Sequence, residues 1–165
     1  MQARQLAAVL LFALTVLVPI ANAAQPKVGD AAPELQVGTW INSDALSLAT
    51  LQNKIVVVEF WATWCGPCVK NIPHLIELHE KYKDKGIVIM GLTDEPASKV
   101  KAFATKMKMT YPLGVNSRTA SIYGVRGIPH AVVVAPGGKV VWSGHPASGL
   151  DKAIENAMKN TPPKL

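Results

Sequence analysis

The stretch Lys54–Ile55–Val56–Val57–Val58–Glu59–Phe60–Trp61–Ala62–Thr63–Trp64–Cys65–Gly66–Pro67–Cys68 changes character part-way along. Residues 54–60 are rich in β-branched side chains without polar alternation, the pattern of a strand covered on both faces. Residues 62–65 then form a loop. A helix is expected from near Gly66 to about Tyr82. Pro67 suits its first turn, where the missing N–H costs no intrahelical bond. Ile72, Leu75, Ile76, Leu78 and His79 recur with helical period, and Pro73 falls inside, where it should kink the helix.

Working outward, Gly86 ends that helix and residues 87–93 read as a second buried strand. Asp94 or Ser98 can start a helix reaching about residue 108. Residues 111–115 are extended, and 116–123 hold one or two helical turns. Gly127–Ile128–Pro129 is a turn. Residues 131–135 and 139–143 are strands joined through Pro136–Gly137–Gly138 as a hairpin, and 150–160 form a closing helix stopped before Pro162–Pro163. Upstream, 24–34 is an exposed lead-in. Residues 35–40 and 45–48 are short strands about the turn-prone Asn42–Ser43–Asp44. The resulting order of main elements, β, β, β, α, β, α, β, β, α, predicts an α/β fold with a mixed central sheet.

With 165 residues, the chain suits one domain with a substantial core. At 49% hydrophobic and 17% charged, it is not expected to be disordered. The net charge of +6 is spread along the sequence. Its densest run, Lys81–Tyr82–Lys83–Asp84–Lys85, is short and interrupted by an acid, so a solvated surface is the expectation, with no nucleic-acid partner.

The N-terminus has one charge, Arg4, before an apolar run over residues 6–20 broken by Thr15 and Pro19. Ala21–Asn22–Ala23 follows. This is the layout of a secretory signal peptide cleaved after Ala23, leaving 24–165 as the working domain. The run is short of the roughly 20 residues of a spanning helix, and an uncleaved anchor is the alternative.

Cys65 and Cys68 are the only cysteines. A bridge across two intervening residues closes almost no loop and therefore does little as a staple. At a helix start, the same pair is suited to chemistry. Unpaired N–H groups and the positive dipole end stabilise a thiolate, and the thiolate is the nucleophile of disulfide exchange. Cys65 is the more exposed of the two. Cys68, one turn into the helix, is placed to resolve a mixed disulfide. No second Cys or His pair has ligand spacing, and His74, His79 and His145 have no partner spacing, so neither metal nor cofactor is expected. Trp61 reads as core, and Trp40 and Trp142 as packing residues.

The segment from Phe60 to Cys68 resembles the active-site segment of thioredoxins. Pro73, Gly127–Ile128–Pro129 and the hairpin with a last helix fall in the matching order, so the resemblance covers roughly residues 27–160. Together with the signal-like leader, the opening Val28–Gly29–Asp30–Ala31–Ala32–Pro33–Glu34–Leu35 is similar to the exported thioredoxin-like branch of the redoxin superfamily. That branch includes the cytochrome c maturation reductases, and its members carry extra N-terminal strands before the core.

The resemblance implies a thioredoxin-like fold and a protein-disulfide reductase. Cys65 attacks a partner's disulfide and Cys68 resolves it. Glu59, where thioredoxins bury an aspartate, accepts the Cys68 proton; a salt-bridged strand end is its plainer alternative. The lysine that partners that acid in thioredoxins has no counterpart in 87–93. Pro129 is implied to follow a cis bond, with Ile128 presenting its backbone to an extended substrate. Trp64 shields the nucleophile, and Gly66 and Pro67 lie between the cysteines on the substrate side. His130 departs from the small or hydroxyl residue expected there. The Gly–Pro dipeptide implies a reducing potential, toward about −270 mV. It follows that a membrane electron donor is needed outside the cytoplasm, in a periplasm or on the outer face of the membrane. Disulfide-bearing proteins, such as those awaiting haem or copper, are the implied substrates, and the protein is expected to be monomeric. The alternatives are a disulfide oxidant or isomerase of the same fold, a copper metallochaperone, and a thiol peroxidase, for which no Pro-x-x-x-Thr/Ser-x-x-Cys motif is present.

Overall fold

In the computed structural model, residues 25–161 are described; the expected signal segment and the Pro162–Pro163 stop lie outside them. The strands are β1 (Thr39–Ile41), β2 (Ile55–Phe60), β3 (Ile87–Leu92), β4 (Leu113–Val115), β5 (His130–Ala135) and β6 (Lys139–Gly144). The helices are α1 (Gly66–Tyr82), α2 (Ala97–Met107), α3 (Thr119–Ile122) and α4 (Leu150–Lys159). One sheet has the order β1-β4-β3-β2-β5-β6. β2 pairs parallel with β3 and antiparallel with β5, and β3 pairs parallel with β4, while the β1–β4 and β5–β6 pairs are antiparallel. This is the mixed α/β sheet expected from the sequence.

All six residues of β2 are buried. Alternation along the strand divides them between two cores. Ile55 and Val57 meet α1, α2 and α4 through Ile72, Leu75, Val100 and Ile154. Val56, Val58 and Phe60 face Tyr123 and the N-terminal segment through Leu48, Leu35 and Val37. The same alternation turns Glu59 toward the α1 side, where Cys65 and Cys68 also lie. α1 runs unbroken through Pro73.

The N-terminal extension departs from its expected form. Residues 35–40 contribute a strand only from Thr39, because the backbone of Gln36 bonds instead to Thr119 Oγ1, Arg118 N–H and Ser117 Oγ. Residues 45–48 are not a strand. The N–H groups of Leu48 and Ala49 donate to the Glu34 carboxylate at 2.7 and 3.0 Å, which removes them from any ladder. Ala31 adds an isolated bridge to Lys139 on β6, and the Tyr123 hydroxyl donates to Pro33 O at 2.6 Å. The short pieces at 111–115 and 116–123 are realised as β4 and α3. β4 inserts between β1 and β3 and so enlarges the sheet.

Candidate active site

Cys65 is the N-cap of α1, and its Sγ accepts the Cys68 N–H at 3.2 Å. The two sulfurs form a disulfide. Cys65 is 5% exposed and Cys68 1%, the order read from the sequence. No acid lies in the first turn of α1, so nothing there opposes the positive dipole end beneath the sulfurs. Gly66 and Pro67 are exposed at the tip. Trp64 is 70% exposed, an unusual position for an indole.

On the same side of the sheet as the pair, Glu59 is 1% exposed and its Oε1 has no hydrogen-bond partner in the protein. Burial pushes its carboxyl well above the usual glutamate value. Opposite Glu59 in the parallel ladder stands Gly91, and beyond Gly91 stands Leu113 of β4. Gly91 leaves room on this face for Trp61, which also packs on Phe103 with ring centroids 5.8 Å apart. Trp61 Nε1 and the Tyr111 hydroxyl are likewise buried without protein partners. Burial, and secondarily the charge of Glu59, push the Tyr111 phenol up. An acid, an indole and a phenol therefore stand on the α1 side of the sheet, where thioredoxins place an acid and a lysine. In the sequence, Tyr111 stands only as the start of an extended piece, with no role at the site. Its signal lay in register: Tyr111 precedes Leu113 by two residues and shares its face.

The Ile128–Pro129 bond is cis; Pro129 is buried and Ile128 half-buried. Ile128 and Trp64 line one groove of about 320 Å³ with Trp61, Thr93, Asp94 and Arg118. His130 is packed structurally. Its Nε2 meets Ser143 Oγ at 2.9 Å, and its ring lies 6.4 Å from that of Phe60. Burial, and secondarily His145, hold its pKa below the ordinary histidine value. His74 pairs with Asp151 of α4 at 3.0 Å, and His145 Nδ1 accepts the Ala147 N–H. Among the described residues, no cluster of three or more His, Cys, Asp or Glu side chains is arranged to hold a metal. Among them, no helix is long and apolar enough to cross a membrane.

The AhpC/TSA family matches residues 28–143, a span that takes in the N-terminal extension, the cysteine pair and the hairpin. The chain belongs to this family. It is 34% identical over 124 residues to the thiol-disulfide oxidoreductase ResA of Bacillus thuringiensis, covering 73% of this chain and 71% of that protein. A crystal structure described as a thiol:disulfide interchange protein DsbE from Chlorobium tepidum superposes with a TM-score of 0.70 at 26% identity, over 81% of this chain and 99% of that one. A solution structure described as a protein disulfide isomerase from Bacteroides thetaiotaomicron gives a TM-score of 0.71 at 28% identity, over 82% and 92%. This AhpC/TSA member is a thiol-disulfide oxidoreductase with a thioredoxin-like fold, and Cys65 and Cys68 are its cysteine pair.

Proposed function

We propose that the protein works outside the cytoplasm as a reductase of protein disulfides, with residues 24–165 as its monomeric working domain. The observation that carries this reading is the Cys65 sulfur at the N-cap of α1, already accepting a backbone N–H. An N–H aimed at sulfur stabilises the thiolate more than the thiol, which makes Cys65 the attacking atom.

In the reduced protein, Cys65 thiolate attacks one sulfur of a partner's disulfide. A bond forms between Cys65 and the partner, and the partner's other sulfur leaves as thiolate and takes a proton. The Cys68 proton passes to the ionised Glu59 carboxylate, the Cys68 thiolate attacks the Cys65 sulfur, and the partner's second sulfur leaves as a thiolate that takes a proton from water. Two electrons have moved to the partner, and the Cys65–Cys68 disulfide is the oxidised product. A buried carboxyl with a raised pKa is suited to hold that proton. Trp64, Ile128 and the backbone beside Pro129 form the contact surface for an extended chain, with Gly66 and Pro67 leaving the approach open.

The signal-like residues 1–23 support export, and the Gly66–Pro67 dipeptide supports the reducing direction. In an oxidising compartment, the pair needs a membrane dithiol donor to restore it. Suitable substrates are exported proteins whose cysteine pairs must be reduced before haem attachment or copper insertion, since a metal is held by thiolate and not by disulfide.

The Cys68→Ala variant tests the order of attack. Expressed in cells, it should accumulate mixed disulfides on Cys65 with exported proteins. Absence of such adducts, or their formation through Cys68 in a Cys65→Ala variant instead, contradicts the scheme.

A further inference from the structure

The loop carrying Cys65 is fastened from outside its own helix. Trp61 N–H donates to Leu92 O and Cys65 N–H to Ala62 O, each at 3.1 Å. Between them, Thr63 is held by Glu95. The Thr63 N–H donates to one Glu95 carboxylate oxygen at 2.6 Å, and its hydroxyl donates to the other at 2.8 Å. Glu95 lies between β3 and α2. Because β2 and β3 run parallel as neighbours, the loops leaving their C-terminal ends emerge side by side.

Glu95 is itself held. It is only 7% exposed. Its N–H donates to Thr93 Oγ1 at 3.3 Å, its carbonyl accepts the Asn116 N–H at 3.0 Å, and its carboxylate pairs with Lys99 on the first turns of α2. Burial pushes the carboxyl up, but the Lys99 and Thr63 bonds outweigh it and hold the group below its ordinary value. A largely buried carboxylate is costly unless each oxygen is satisfied, and here both oxygens grip a single residue two positions before Cys65. A two-point grip on one N–H and one O–H fixes direction as well as position.

We propose that Glu95 is a positioning residue for the cysteine centre. Its carboxylate fixes Thr63, and through Thr63 the backbone that sets Trp64 on the rim of the groove and Cys65 on the N-terminus of α1. The proposal rests on the reading of Cys65 as the attacking sulfur. It adds a residue that touches neither sulfur and sets how fast exchange occurs.

The test compares Glu95→Ala, Glu95→Gln and Thr63→Val in the mature chain. The readouts are the rate constant for reduction of the Cys65–Cys68 disulfide by dithiothreitol, the equilibrium with glutathione, and the urea unfolding midpoint. Glu95→Ala should slow exchange by about tenfold or more, since misplacing a reacting group by an ångström costs up to about a hundredfold. Thr63→Val keeps the N–H arm and should lose less. Glu95→Gln keeps an oxygen for the N–H, and its amide can donate to the hydroxyl oxygen, so its rate should stay within about threefold of wild type, even though it loses the Lys99 ion pair and some stability.

Wild-type exchange in folded Glu95→Ala, or rates that simply follow the unfolding midpoints, would overturn the proposal. If Glu95→Ala does not fold, Thr63→Val against Thr63→Ser, which keeps both arms, decides the same question: equal rates refute it. If a Cys65→Ser variant still formed mixed disulfides at the wild-type rate, the assignment of Cys65 would fail, and the positioning role with it. Slow exchange in Glu95→Ala beside a dead Cys65→Ser supports both.

Discussion

Glu59 of β2 stands opposite Gly91 of β3, and the indole of Trp61 fills the room that a side chain at 91 would take. A Cβ at Gly91 would lie 2.9 Å from Trp61 Nε1 and 3.1 Å from Leu113 Cδ2. Position 91, beside the buried acid, is therefore bare where Trp61 and Leu113 already fill the space.

Gly91→Ala should accordingly destabilise the fold by about 1–3 kcal/mol, the range for overpacking a filled core. The displaced Trp61 should show altered near-ultraviolet dichroism. Urea denaturation checks the first expectation, and a wild-type midpoint contradicts it.

The buried Glu59 makes stability depend on pH in a definite direction. Below the ordinary glutamate value of 4.5, folded and unfolded chains both carry the proton and its full contribution is present. Above 4.5 the unfolded chain ionises while the folded one does not, so stability falls until the folded carboxyl titrates. Glu59→Gln should therefore melt higher than wild type at pH 8, with the difference shrinking toward pH 4.5. The same variant should slow resolution by Cys68 and flatten the pH–rate profile of exchange above 4.5, where the raised carboxyl titrates. An unchanged profile removes Glu59 from the proton path.

Glu34 behaves oppositely. Burial pushes its carboxyl up, but bonds from the N–H groups of Leu35, Leu48 and Ala49 outweigh this and lower it. Its contribution is present above the unfolded value of 4.5 and is lost as the pH falls through the lower folded value. Glu34→Gln should cost about 0.5–1.5 kcal/mol at pH 7, discounted for its exposure, and converge with wild type in acid. A cost that persists at pH 2 contradicts this account.

Trp64→Ala removes a side chain that is 70% exposed. Stability should change by less than about 0.5 kcal/mol, while the rate of exchange with an unfolded disulfide-bearing protein should fall several-fold. Stopped-flow exchange against such a partner measures this, and a wild-type rate would take Trp64 out of the contact surface.

How much the sequence disclosed depended on where the bonding partners lie. β2, α1, β3 and the hairpin to α4 were legible because propensity, periodicity and turn residues agree locally, as at Gly137 and Gly138, whose φ angles of +86° and +79° suit the tight turn. Residues 45–48 misled because their β-like pattern is overridden by a carboxylate 14 residues earlier, Glu34. The cysteines were legible from their spacing at a helix start, and Glu59 only through the resemblance of its segment to thioredoxins. Glu95 and Tyr111 were not, since Glu95 reaches Thr63 across 32 residues and Tyr111 reaches the site only through the β2–β3–β4 register. Neither leaves a motif in one dimension.

The most direct test of the reductase reading is the reduction potential of the Cys65–Cys68 pair in residues 24–165, equilibrated against defined dithiothreitol or glutathione buffers. A value below about −230 mV is the predicted result. A value above about −150 mV would contradict it and make the protein a disulfide donor.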